Sequence, residues 1–147
     1  VKHRADQHLT YRLDRLTKEA GKAVVDAYDR ACGLTVPEIR VLRIVSNQPG
    51  ITFSRLVDET YYERTFTSRL VTRLCAKGLV ARKAEKADAR QYALRLTAKG
   101  NGTLVIANRV GDRLEKILMS PLSAEEQARL LDYLDRLTDW VRKEAFT

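Results

Sequence analysis

Apolar residues recur along this chain in two different rhythms, and the change of rhythm marks its organisation. From about Asp6 to Ala31 they fall three and four apart (Leu9, Leu13, Leu16, Ala20, Val24, Ala27, Ala31), the stripe of one long helix. Gly33 stands where a helix stop is expected. Thr35-Val36-Pro37-Glu38 reads as a capping box with proline in the first turn, opening a second helix with Ile39, Leu42 and Val45 inward. Asn47-Gln48-Pro49-Gly50 breaks it. Thr52 can cap a short third helix with Phe53, Leu56 and Val57 inward. A fourth helix then runs from about Arg64 to Lys77, with Phe66, Leu70, Val71 and Leu74 inward, and Gly78 closes it. Beyond it the period drops to two. Leu79 to Lys83 and Gln91 to Leu96 read as short strands, with Glu85 to Arg90 at the tip of a hairpin. Two helices follow. The first starts near Thr97 and carries Leu104, Val110, Leu114, Ile117 and Leu118. The second opens at the capping box Ser123-Ala124-Glu125-Glu126 and carries Leu130, Leu134, Leu137 and Val141.

Two short helices joined by a tight turn, set after a support helix and followed at once by a hairpin, make a winged helix-turn-helix. The expected fold is therefore mainly α with a small β-hairpin wing, a single domain over residues 1–147 with no repeat or long linker. Its winged core spans about 34–99, flanked by N- and C-terminal helices over about 6–32 and 100–146. The fourth helix is the one built to enter a DNA groove. The terminal helices are longer than such a core needs. Their stripes can pack on one another, or they can be dimerisation helices that pair two chains as a homodimer. Pairing would also present two recognition helices to successive major-groove faces, roughly 34–36 Å apart.

Composition narrows the class. With 147 residues, 44% of them hydrophobic and 31% charged, the chain can bury a core and is neither disordered nor fibrous. No apolar run approaches the roughly 20 residues of a membrane span, and the polar N-terminus lacks a secretory signal. A cytoplasmic protein without membrane contact is expected. Because the chain does not open on Met, the natural protein is expected to begin earlier. Cys32 and Cys75 have no metal or redox spacing, so structural roles are expected for both. His3 and His8 are the only histidines, with no nucleophile, metal or phosphate-loop spacing around them. Neither an enzyme nor a cofactor or metal site is indicated.

Charge changes the picture more. The net charge is +8, and the segment from Tyr62 to Lys99 carries +7 of it. Its bases are Arg64, Arg69, Arg73, Lys77, Arg82, Lys83, Lys86, Arg90, Arg95 and Lys99, against Glu63, Glu85 and Asp88. A concentrated patch of this kind faces a polyanion or is simply a solvated surface. Six arginines to four lysines favour phosphate or base contact. A winged helix recruited for protein contacts is the rival function, and it would carry a neutral or acidic recognition surface.

Five stretches together carry a family resemblance: Gly33-Leu34-Thr35, Ser68 through Val80, Asp88-Ala89-Arg90, Leu96 through Gly100, and Leu122 through Glu126. In this order and spacing the chain resembles the MarR (multiple antibiotic resistance regulator) family of bacterial transcription factors. The resemblance implies an obligate dimer, usually a repressor, bound to a palindromic operator on double-stranded DNA and released by a small ligand or by oxidation. On matching positions it implies that Arg64, Thr65, Phe66, Ser68 and Arg69 occupy the exposed first turns of the recognition helix. Arg90 matches the wing-tip arginine that enters the minor groove, with Asp88 orienting it.

Chemistry gives these positions roles. Arg64 and Arg69 can grip guanine or phosphate, and Thr65 and Ser68 can donate to phosphates or touch bases. Arg73 either touches DNA or braces the wing through Asp88. Arg82, Lys83 and Lys86 belong to the wing, the two lysines as phosphate contacts. Tyr11, Arg15, Tyr28 and Arg43 lie on helices that line the family's effector cleft, where they would suit an aromatic or carboxylate ligand. Ordinary packing is the competing reading for those four. Two departures stand out. Thr67 replaces an apolar residue, so looser packing is expected there, and Tyr61-Tyr62-Glu63 offers a poor helix cap.

Overall fold

The computed structural model describes residues 5–85 and 88–143, with the backbone alone at 5, 85 and 88–91. Its elements are α1 (Leu9–Cys32), α2 (Val36–Asn47), β1 (Ile51–Thr52), α3 (Phe53–Thr60), α4 (Arg64–Ala76), β2 (Val80–Glu85), β3 (Asp88–Leu96), α5 (Ala98–Met119) and α6 (Ala124–Lys143). A short 3-10 turn, Ala5–Gln7, precedes them. The chain forms two units, residues 1–111 and 112–147.

Local chemistry sets the helix ends. Gly33 adopts the left-handed conformation (φ 66°) and its amide donates to the Asp29 carbonyl at 2.9 Å, stopping α1. The Thr35 hydroxyl accepts from the Glu38 amide while the Glu38 carboxylate accepts from the Thr35 amide at 2.8 Å, so the expected capping box starts α2. The Ser123–Glu126 pair starts α6 in the same way. Thr97 does two jobs at the start of α5: its hydroxyl accepts from the Gly100 amide and donates to the Gly78 carbonyl. That second bond ties the end of the wing to the end of α4.

The core lies in the first unit. Ile39, Val41, Leu42 and Val45 of α2, Leu56 of α3, Leu70, Val71 and Leu74 of α4 and Leu94 of β3 are each at most 1% exposed. Enclosing a side chain of this size contributes roughly 1.5–3 kcal/mol, so these residues set the angle at which α4 sits on α2 and α3. In the second unit α6 buries no residue: Tyr133, Leu137, Trp140 and Val141 stay about half exposed in the single chain.

Three expectations need correcting. The hairpin strands are longer than the two-residue rhythm suggested. Glu85, Asp88 and Arg90 belong to strand backbone, Glu85 pairing Asp88, where a tip from Glu85 to Arg90 was expected. The ladder continues because pairing needs only backbone groups, which polar strand residues supply equally well. The sheet also has a third strand. β1 pairs β3 antiparallel, Ile51 with Leu94 and Thr52 with Ala93, giving the order β1-β3-β2. Two residues are too few to show a period. Finally, Thr67 rather than Phe66 is the fully enclosed side chain in the first turn of α4, and nothing there is loose. Its hydroxyl donates to the Glu63 carbonyl at 3.1 Å and lies 3.5 Å from the equally buried Thr60 hydroxyl. A threonine fits a nearly apolar site when its one polar atom is bonded.

Candidate nucleic-acid interface

α4 is held from behind and open in front. Leu70, Val71 and Leu74 fix its inner face, whereas Arg64, Thr65, Arg69, Thr72 and Arg73 are exposed and Phe66 and Ser68 are half-buried. Among the described residues, Phe66, Ser68, Arg69, Thr72 and Arg73 line an open cavity of about 400 Å³ along the outer face. None of Arg64, Arg69, Arg73 and Arg82 makes an ion pair to a described side chain. All four residues are exposed to solvent.

The N-terminus of α4 is set by its preceding turn. Tyr61 takes the left-handed conformation (φ 59°), and the Tyr62 amide donates to the buried Thr60 hydroxyl at 3.3 Å. Glu63 occupies the cap position and makes no side-chain capping bond, as its residue type implied. The Tyr62 ring meets Phe66 edge-on at 5.3 Å, and the Arg40 guanidinium lies 5.0 Å from the Tyr62 ring centre. Phe66 is therefore a partly exposed packing residue at the rim of the site.

The other end of α4 is fixed by an ion pair between an exposed lysine and a buried carboxylate. The Lys77 ammonium, just past the helix, donates to the Glu38 carboxylate at 3.0 Å and reaches the Gly33 carbonyl at 3.4 Å. Lys99 in turn donates to the Lys77 carbonyl at 3.0 Å. Burial opposes the charge on Glu38. The Thr35 amide, Lys77 and the Thr35 hydroxyl outweigh that cost and hold its pKa below the ordinary carboxylate value. Cys32 sits beside this cluster, its thiol donating to the Tyr28 carbonyl at 3.3 Å, and burial pushes its pKa up. Cys32 and Cys75 are both free and half-buried.

On the wing, Arg82 and Lys83 are exposed on β2. Arg82 donates to the Thr72 hydroxyl of α4 at 3.0 Å and lies over the Tyr92 ring at 5.1 Å. Lys86 lies outside the described residues. Of Asp88 and Arg90 only the backbone is described, so the bracing of Arg90 by Asp88, and of the wing by Arg73 through Asp88, also falls outside them.

The four effector-cleft residues do not form one site within the chain. Tyr28 is buried, and its hydroxyl accepts from Arg43 at 3.3 Å, while Arg43 also donates to Asn108 of α5 at 2.9 Å. Gly111 leaves room for that meeting, since a Cβ there would come within 2.5 Å of the guanidinium and 2.8 Å of the hydroxyl. Tyr11 and Arg15 are exposed on α1, about 25 and 20 Å before Tyr28 at 1.5 Å per residue. Helical rise keeps Tyr11 and Arg15 away from the Tyr28–Arg43 pair of the same chain. Sequence reasoning also missed Asn108, Thr72, Phe53 and Tyr92. Only the aromatic character of the last two, beside an arginine-rich segment, offered a signal.

Among the described residues, no helix is long and apolar enough to cross a membrane. A family model described as MarR family matches residues 33–91, which span α2 to the wing. The transcriptional regulator HosA of Escherichia coli is 30% identical over 104 residues, covering 71% of this chain and 77% of HosA. Among solved structures, a MarR/EmrR family transcriptional regulator from Acinetobacter sp. ADP1 superposes with a TM-score of 0.85 at 22% identity, covering 97% of this chain and all of that one. Bordetella bronchiseptica BpsR, whose DNA binding is regulated by 6-hydroxynicotinic acid, superposes with a TM-score of 0.82 at 18% identity, covering 95% and 99%.

Proposed function

This chain belongs to the MarR family, and on that premise we propose that it is a transcription regulator that reads a palindromic operator in double-stranded DNA as a homodimer. α4 enters the major groove, and the β2–β3 hairpin lies over the adjacent minor groove with Arg90 as its groove-entering arginine. One observation carries this reading. Arg64, Arg69 and Arg73 form no ion pair with a described side chain and stand on the exposed face of a helix whose opposite face is locked into the core. Cations kept for solubility need no such rigid, aligned mounting, whereas groove reading does.

Homodimerisation is supported by the apolar side chains left open on the terminal helices, Leu9, Leu13 and Leu16 of α1 and Leu137, Trp140 and Val141 of α6. Ligand response is supported by the control of BpsR by 6-hydroxynicotinic acid. The proposed effector is a small aromatic or carboxylate compound, with Tyr28 and Arg43 as the polar groups that receive it. Repression is the sign that the family resemblance implies, by occupation of the operator.

The test is selection from a randomised DNA pool across salt concentrations, with the wild-type chain and Arg90→Ala in parallel. A palindrome should be enriched, affinity should fall steeply with salt, and Arg90→Ala should cost roughly 1–3 kcal/mol. No enrichment, with weak binding even at low salt, would overturn the reading. Specific binding that ignores Arg90 would overturn the wing assignment alone.

A further inference from the structure

Two of the arginines at the interface are not free side chains. The Arg64 guanidinium lies 5.0 Å from the centre of the Phe53 ring. Phe53, the first residue of α3, meets the Tyr92 ring of β3 at 5.8 Å with 32° between the planes. Tyr92 in turn carries Arg82 at 5.1 Å, and Arg82 donates to Thr72 of α4 at 3.0 Å. Guanidinium, ring, ring and guanidinium thus run in one unbroken line from the first residue of α4 to the wing and back to α4. Arg64 and Thr72 are eight residues apart, about 12 Å along the helix. The register explains how Arg82 reaches its ring. Arg82 pairs with Leu94 across the sheet and Tyr92 is the diagonal neighbour, within reach of a long side chain.

The burial pattern argues that the rings do more than fill space. Leu56, one turn beyond Phe53 on α3, is fully enclosed, while Phe53 and Tyr92 are half-buried, with their arginines exposed. A large ring at the edge of a core is a platform for a cation, because the face of the ring is electron-rich. Holding an arginine on such a platform removes rotamer freedom before the anion arrives, so less is lost on binding.

We propose that Phe53 and Tyr92 are positioning residues that hold Arg64 and Arg82 as a preset pair of phosphate clamps, one at the first residue of the recognition helix and one beside Thr72, two turns further on. This rests on the DNA-binding reading above and adds to it. The two arginines act on the DNA backbone from fixed places and set the register of α4, which leaves Arg69 and Arg73 as the base-reading candidates. Neither ring touches DNA in this scheme; each acts through its arginine.

A thermodynamic cycle tests it, on the full chain and the operator selected from the random pool. Phe53→Leu and Tyr92→Leu keep apolar bulk and remove the ring face. Each should weaken binding about two- to fivefold, the worth of one exposed cation–ring contact. Phe53→Tyr and Tyr92→Phe keep the ring and should bind as wild type. The decisive arm is coupling: Phe53→Leu should cost nothing further in an Arg64→Ala background, nor Tyr92→Leu in an Arg82→Ala background. Melting curves for every variant identify any that fail to fold. In the free protein, the ring-current shifts on the Arg64 and Arg82 side-chain protons should vanish in the leucine variants, a readout that needs no DNA. Equal cost in both backgrounds, or unchanged affinity in folded leucine variants, would overturn the proposal while leaving DNA binding intact. A wild-type chain that binds no DNA would overturn the DNA-binding reading and this one with it.

Discussion

Leu42 of α2 and Leu137 of α6 are the same side chain on amphipathic helices, yet the first is wholly enclosed and the second is 45% exposed. The contrast extends to their surroundings. α2 packs with α3, α4 and β3 around side chains that no longer see solvent, while α6 completes its turns, caps its first one through Ser123, and buries nothing. The winged core is finished by its own chain. α1 and α6 are finished as secondary structure, and Leu9 and Leu16 of the one and Leu137, Trp140 and Val141 of the other stay about half exposed.

This contrast can be broken by mutation. Leu42→Ala should cost about 2–5 kcal/mol of unfolding free energy, because it opens a cavity in a site that cannot collapse around it. Denaturant unfolding measures it, and the cost should not depend on protein concentration. Trp140→Ala should behave in the opposite way. It should leave the folding of the single chain nearly unchanged but weaken self-association by about 2 kcal/mol, roughly thirtyfold in the dimer constant, if Trp140 sits at the centre of the pairing surface. Sedimentation against concentration reads this directly. Equal association of the two proteins would show that the exposed face of α6 serves no dimer.

The smallest expected effect sharpens the comparison inside the core. Glu38→Gln keeps the shape of the carboxylate but loses the charge that Lys77 and the Thr35 amide satisfy, and should cost about 1–2 kcal/mol at neutral pH. Its pH dependence has a definite sign. The Glu38 pKa is lowered in the folded chain, so its contribution is complete above the unfolded carboxylate value and is lost as pH falls through the folded one. Wild-type stability should therefore fall more steeply on acidification than that of Glu38→Gln. Parallel acid titrations of the two would expose an equal slope, which would remove Glu38 from the account.

Much of this was legible in the residues, for a reason that particular positions make plain. Thr35 and Glu38, Ser123 and Glu126, and Gly33 after α1 all act over three or four residues, so their chemistry is written contiguously. The exposed arginines of α4 were legible too, because helical spacing sorts them from Leu70, Val71 and Leu74. The rest of the site was not. Arg82 and Thr72 are ten residues apart, Glu38 and Lys77 thirty-nine, and Arg43 and Asn108 sixty-five, and no local rule joins them. Thr67 looked like a misfit beside its apolar neighbours until Thr60 and the Glu63 carbonyl were found next to it.

The residues by themselves determined the helices, their caps, the switch to a hairpin and the basic segment that spans both, since each depends on hydrogen bonds or periodicities within a few residues. Only the tertiary structure decided which groups meet: the third strand, the Glu38–Lys77 pair, the Tyr28–Arg43–Asn108 cluster and the line of rings that carries Arg64 and Arg82. Those meetings depend on the angles at which finished elements pack, and packing is settled by the fit of whole faces rather than by the order of residues along the chain.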